Sequence, residues 1–396
     1  MSSGVEARIA LDAAVVLSLG TNRLLGGAGK LTAAGAEALA ALAAGKAEQR
    51  AAALAEVQRH HDALHQVIDR LARLTVLTES AKRHSADIEL PGALDPTGHT
   101  PEELAAWCAE IDPALEAAEQ RISRHIADSV AAQAFAGFAV SAAPDPATQT
   151  SRAAGTPPVA AEAAQPDGGV RQEQRQLALT RVLARLLPDT EPADVRHVSE
   201  AAARLGAARP DGEAESLLSE VRLRVQQANR RTAERRAVQA REEAEKEAAE
   251  QAQAERDYVL QAVSTAFDDL GYEVEEGFET LTAQDGTVIL TRDGWPDHAV
   301  KLRIDEPNTL RAALVRTGEP ESEEDRRRDV EREEEWCAAF EAARNRLARA
   351  GVASDVRWQI DPGEHRLPVA REARQTRKAR RERQRQQERE AGGGAA

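Results

Sequence analysis

"LGYEVEEGFETLTAQDGTVILTRDGWPDHAVKLRID", residues 270–305, decides the fold. Tyr272 and Val274 alternate with polar residues, Val288-Ile289-Leu290 follow as a short apolar run, and Val300, Leu302 and Ile304 alternate again. A period of two puts every second side chain on one face of a strand. Asp285-Gly286 is a hairpin turn signal, and Gly294-Trp295-Pro296-Asp297 marks a second turn. The pattern predicts strands near 272–281, 287–292, 298–305 and 309–316. Just upstream, Tyr258, Val259, Ala262, Val263, Ala266, Phe267 and Leu270 form a wide helical stripe stopped by Gly271. Downstream, a helix carries Val330, Cys337, Phe340 and Leu347 on one face and ends at Gly351, and Val356, Trp358 and Ile360 alternate as a last strand. Helix, four strands, helix, strand, with local hairpins, gives an α+β module over 258–362: a mostly antiparallel sheet with helices on one face.

Outside this stretch the composition changes. The chain has 396 residues, 42% of them hydrophobic but only 3% aromatic, and 30% are charged. Ala supplies much of the hydrophobic share and buries little area. Such a profile suits long helices better than a compact α/β enzyme. The expected fold is mainly α, with long helical hairpin or coiled-coil segments and a C-terminal two-layer α+β module.

From Leu31 to Lys82 one stripe recurs through Leu39, Leu42, Leu54, Val57, Leu64, Ile68, Leu71 and Leu74. "ELPGALDPTGHTPEEL" breaks it, and Thr100-Pro101-Glu102-Glu103 restarts a helix with a capping hydroxyl, proline at the first position and acids in the first turn. The second stripe continues through Trp107, Ile111, Leu115, Ile122, Ile126 and Val130. Residues 1–140 are therefore expected to form an antiparallel helical hairpin. Residues 141–172, rich in Pro, Gly, Ser and Thr, read as a disordered linker. Residues 173–257 read as a small helical bundle followed by a long charged helix. Over 226–257 Val238 is the only aliphatic residue larger than Ala. Pairs such as Glu242–Lys246 support a single solvated helix, a spacer of roughly 45–50 Å, with an Ala-lined coiled coil of weak seam as the alternative.

Few motifs carry chemistry. "GGAGKLT", Gly26–Thr32, lacks the first Gly of a phosphate loop and has Leu31 where the metal-binding hydroxyl belongs, so a Gly-rich turn is expected. His61, His65 and Asp69 share one helix face, but two imidazoles on one helix are too few for a metal without further ligands. The adjacent acids Glu275-Glu276, Asp268-Asp269 and Glu323-Glu324-Asp325 read as solvated surface. Cys108 and Cys337 are far apart and sit in helical apolar stripes, which suits buried reduced thiols rather than a nucleophile or a disulfide. No catalytic, cofactor or metal residues are expected, and the chain is read as not an enzyme.

The net charge of −15 argues against a globally basic nucleic-acid binder. The tail "REARQTRKARRERQRQQERE", residues 371–390, is the exception: Arg374, Arg377, Lys378, Arg380, Arg381, Arg383 and Arg385 crowd together. It suits phosphates or an acidic protein surface, but it holds no aromatic on which a base could stack. No secretory leader and no membrane span is read, so the expected location is cytoplasmic. The expected role is a non-catalytic coiled-coil interaction or scaffold protein with the α+β module as docking head. Its partner is a protein, and self-association is compatible with the helices. The alternative is accessory nucleic-acid binding through the Arg-rich tail.

Overall fold

A computed structural model of the chain describes residues 4–27, 30–141, 167–208, 211–274, 287–305 and 309–370. The elements are β1 (Gly4–Leu11), α1 (Ala13–Leu24), α2 (Ala33–Ala43), α3 (Ala47–Arg83), α4 (Pro101–Ser141), α5 (Asp167–Leu183), α6 (Pro192–Ala207), α7 (Asp211–Asp268), β2 (Tyr272–Val274), β3 (Thr287–Arg292), β4 (His298–Asp305), β5 (Thr309–Arg316), α8 (Glu323–Arg349) and β6 (Val352–Gln359). The protein is mainly α, with an α+β part near its C-terminus, as its composition and periodicities imply. Two compact units form: Met1–Asp62 together with Ala248–Ala396, and Ala63–Glu247.

The first unit is built on a six-stranded sheet of order β2-β3-β4-β5-β1-β6, and every neighbouring pair is antiparallel. The hairpins β3–β4 and β4–β5 lie where the alternation places them. One strand comes from outside 258–362: β1 lies between β5 and β6. This differs from the expectation that residues 1–140 belong to a helical hairpin. Val5, Ala7 and Ile9 are the reason, because they alternate and all three are buried on one sheet face. Their core also takes Leu290, Val300, Leu302, Leu310, Ala312 and Leu314 from the sheet. Val259, Val263 and Phe267 from α7, and Trp336, Phe340 and Leu347 from α8, close it on one side. Phe267 stacks on Trp336 with ring centroids 5.5 Å apart, and Tyr272 meets both edge-on. The aromatics thus fill the layer between sheet and helices. Gly351, at φ +73°, makes the turn from α8 into β6, and a Cβ there would lie 2.7 Å from Leu39 and Val15. The positive φ and the crowding both require glycine.

The second unit has one helical core. Leu74 and Leu77 of α3, Leu115, Ile122 and Ile126 of α4, Leu179 and Leu183 of α5, Val198 and Leu205 of α6, and Val221 and Val225 of α7 all belong to it. The stripes before and after the Pro-rich segment therefore pack on each other rather than forming separate bodies. Thr100 caps α4 as its sequence implies: its Oγ1 accepts from Glu103 N at 3.3 Å, and Glu103 accepts from Thr100 N at 2.9 Å.

α3 and α4 do not form an antiparallel hairpin. Arg70 binds Asp112 through both carboxylate oxygens, at 3.1 and 2.9 Å; Arg73 binds Glu119 at 2.8 Å; and His84 O lies 3.3 Å from His125 Nε2. Partner numbers rise together along the two helices, so they run the same way. The connection explains it. Residues 86–96 run without helix or strand, and Arg121 donates to Glu89 O at 3.1 Å, so the connector passes back beside α4. Ile88 and Leu90 pack on the core along the way. Pro91 and Pro96 disfavour helix before each of them, which keeps the return extended.

The charged helix also packs further than its composition implies. Thr232 of α7 is fully buried; Arg235 and Arg236 reach Asp189 in the loop before α6, and Arg231 reaches Asp194 in the first turn of α6. Asp189 accepts from both Arg235 and Arg236, at 3.1 and 2.9 Å, and Asp194 accepts from Arg231 at 3.0 Å. Two guanidiniums, Arg236 first, hold the Asp189 carboxyl below the usual carboxylate range although burial opposes them more than any single pairing. Solvation begins later, at Ala237: from there to Glu250 only Glu247 is even half-buried. The disordered-linker expectation falls mostly on residues outside the described ones, and α5 begins at Asp167.

Candidate functional site

The sheet has two unlike faces. One carries the apolar core. On the other, Ala299 and Val315 form a small cluster with Ile289 and Ala370, and among the described residues no helix contributes to it.

Strand parity determines what else stands on that open face. Val300 and Leu302 point to the core, so Lys301 and Arg303 point away; Leu310 and Ala312 likewise send Arg311 and Ala313 outward. The register then aligns a row across four strands: Arg303 of β4, Arg311 of β5, Glu6 of β1 and Trp358 of β6 are successive Cα partners. In the next row Lys301 stands beside Ala313, and Ala313 beside Gly4. Ala313 and Gly4 are too small to fill their places between long neighbours. A concavity of about 700 Å³ results, with Lys301, Arg303, Arg311 and Trp358 around it and Ile360 and His365 from the segment after β6. A register irregularity between Glu6 and Ala7 brings Trp358 to this face while Val356, two residues earlier, packs on the core. Trp358 is 46% exposed.

Among the described residues, bases outnumber acids in this row. Two like charges directly opposite on neighbouring strands, here Arg303 and Arg311, repel. Arg311 is steadied by donating from Nε to Glu6 Oε2 at 2.8 Å. That hydrogen bond, with lesser help from Trp358 and Arg357, holds Glu6 below the usual carboxylate range although burial opposes it. Glu6 is the acid inside the row; Lys301, Arg303, Arg311 and Arg357 are the bases around it.

A second polar group lies at the helical side of the same sheet. Asp329 of α8 accepts from His298 Nε2 at 2.8 Å and from Arg316 at 2.5 Å. Arg316 also donates to Gly318 O at 3.1 Å. His298 is only 6% exposed, and its Nε2 is taken by Asp329. Burial holds it below the usual imidazole range, although Asp329 pulls the other way. This network fastens α8 to the sheet and leaves a substrate no access to the imidazole.

The residues singled out in the sequence fall as follows. His61 packs against α1: a Cβ on Gly20 would lie 3.0 Å from its ring, and Nδ1 is 3.4 Å from Thr21 Oγ1. Among the described residues no group of three or more His, Cys, Asp or Glu could hold a metal ion. Thr32 caps α2 through Gly35 N at 3.1 Å, and Gly26 has φ +74°; Ala28 and Gly29 of "GGAGKLT" lie outside the described residues. Asp325 forms a capping box with Ser322, while Glu323 and Glu324 occupy the same first turn of α8. Burial pushes both thiols up, and Cys337 also receives a long contact from Gln359 Nε2 at 3.6 Å. Glu275 and Glu276 lie outside the described residues, as do Arg374, Arg377, Lys378, Arg380, Arg381, Arg383 and Arg385. No described helix is long and apolar enough to cross a membrane.

The basic sheet face is the site that sequence reasoning missed. Its signal is Lys301 and Arg303 standing between Val300, Leu302 and Ile304. Comparisons with protein families, curated proteins and solved structures found no match for this chain.

Proposed function

We propose that this chain is a non-catalytic interaction protein that docks a polyanionic partner on the open face of its sheet. The opposed Arg303 and Arg311, standing beside a concavity edged by Lys301 and Trp358, carry the reading. Basic side chains gathered on one described sheet face of a chain of net charge −15 are a local device rather than a bulk property. The absence of a nucleophile–base pair on that face favours binding over catalysis among the described residues. In this reading the solvated stretch of α7 is a spacer, and the chain serves as a scaffold whose docking head is the six-stranded unit.

The test is a salt titration of the full chain on heparin, a generic polyanion. Binding should weaken steeply with salt, and the double variant Lys301→Glu, Arg303→Glu should weaken it at least about tenfold at low salt, the scale of losing two phosphate-type contacts. Unchanged binding in that variant, with loss on deleting residues 371–396, would move the contact to the tail alone.

A further inference from the structure

The chemistry of the polyanion can be narrowed by Trp358. A basic face suffices for any acidic surface, and an acidic peptide or a sulfated sugar needs nothing more. This face also presents an exposed indole, beside the Arg303–Arg311–Glu6 row and at the edge of the small-residue floor made by Gly4 and Ala313. The other three tryptophans are placed differently: Trp295 and Trp336 are buried in the aromatic core, and Trp107 is half-buried on the helical core. Trp358 is also held rather than loose, because its partner in the ladder is Glu6, whose carboxylate Arg311 fixes. Cations that follow a phosphate backbone, together with an aromatic on which bases stack, are the two components of single-strand recognition. In a duplex the bases are stacked inside and offer Trp358 no ring face.

We infer that the open sheet face binds single-stranded nucleic acid, with Trp358 as the stacking platform and Lys301, Arg303 and Arg311 along the phosphates. The inference rests on the polyanion reading above and adds the base. The last described residues return to the same sheet. Arg316 N donates to Pro368 O and Ala370 N donates to Arg316 O, both at 2.8 Å, so residues 368–370 join the edge of β5 beyond the start of β1. Ala370 packs on the open face against the Ala299–Val315 cluster. The Arg-rich sequence begins at the next residue. The concavity, about 700 Å³, lies within the range of clefts that take a small organic group.

The experiment uses the full chain at low salt with four probes: an oligodeoxythymidylate of about 12 nucleotides, within single-strand footprints; an abasic deoxyribose-phosphate oligomer of equal length; a duplex of equal length; and polyglutamate. Affinities of the wild type and of each variant are read by fluorescence anisotropy of end-labelled probes, and quenching of wild-type tryptophan emission is read beside them as the sign of stacking. The thymidylate should quench that emission and bind at least about fivefold more tightly than the abasic oligomer or the duplex. Trp358→Ala should cost the thymidylate about 5- to 150-fold, the equivalent of one stacked base, and leave the abasic oligomer unaffected. Trp358→Phe should retain most of the preference, which separates stacking from any disturbance of β6. Equal binding of thymidylate and abasic oligomer, or an unchanged ratio in Trp358→Ala, overturns the inference while polyanion docking stands. Polyglutamate binding as tightly as thymidylate would assign the face to an acidic protein. Failure of every probe to bind would remove the polyanion reading itself.

Discussion

Arg311 donates from Nε to Glu6 Oε2 at 2.8 Å, joining residues 305 positions apart in the chain. Both side chains stand on the open face, where water screens them, so the pair adds little to stability. Its importance is positional. It fixes the place of Arg311 beside Arg303 and ties the basic row to the one strand contributed by the N-terminus.

That strand is required for the sheet to be continuous from β2 to β6. Ile9 is 2% exposed in the apolar layer, whereas Ala10 faces outward. Ile9→Ala should cost about 2–5 kcal/mol of stability in the six-stranded unit. Ala10→Ser should change it by less than about 0.5 kcal/mol. Denaturant unfolding followed by tryptophan emission checks both, and equal effects would show that β1 is not part of the folded sheet.

In the helical unit, α6 lies close against α4 at Gly206, where a Cβ would lie 2.1 Å from Ala134 O. The obstacle is backbone, which cannot rotate aside. Gly206→Ala should therefore destabilise by roughly 1–3 kcal/mol, despite alanine's better helix propensity. Gly92→Ala, with nothing within 4 Å, is the control. Thermal unfolding by far-UV circular dichroism distinguishes them.

α7 contains a natural comparison along its own length. Val221 is fully buried, and Val238 is 51% exposed. Val221→Ala should cost on the order of 1.5–3 kcal/mol, and Val238→Ala should be within about 0.5 kcal/mol of neutral. A large loss at Val238, dependent on protein concentration, would reveal a seam with a second copy of the helix.

The His298 network gives the first unit a pH dependence. Burial lowers the imidazole in the folded state, with Arg316 and Arg332 adding to the effect and Asp329 opposing it. On acidification the unfolded chain therefore takes up this proton first. The stability tied to neutral His298 is complete above the unfolded value of about 6.5 and declines as pH falls toward the lower folded value. Denaturant midpoints should drop between pH 7.5 and 5.5, and His298→Gln should flatten that slope. A slope unchanged in the variant would assign the pH dependence to other groups.

What the sequence revealed depended on how local each interaction is. β3, β4 and β5 pair with their chain neighbours, so alternation plus the turn signal in the sequence Asp285-Gly286 and the turn at Gly294 was enough to place them. β1 carries the same alternation in Val5, Ala7 and Ile9, but its partners are β5 and β6, and no local turn points to them. The direction of α4 relative to α3 was hidden for a different reason. Stripes such as Leu64–Leu74 and Ile111–Ile126 define faces, and only the path of residues 84–100 sets direction. At the open face Lys301, Arg303 and Arg311 were readable as outward residues. Their meeting with Trp358 depends on β1 being in register between two strands, which single-strand patterns do not contain.

The position of β1 also sets an order of events during synthesis. It is synthesised before the strands it pairs with, and β5 begins about 300 residues later, roughly 15–60 s at ordinary elongation rates. Throughout that interval Val5, Ala7 and Ile9 have no sheet to enter. The helical unit, Ala63–Glu247, is continuous in the chain and emerges entirely within the wait. Helix packing can therefore be finished before the sheet begins, and β1 is the segment on which a nascent-chain chaperone would act.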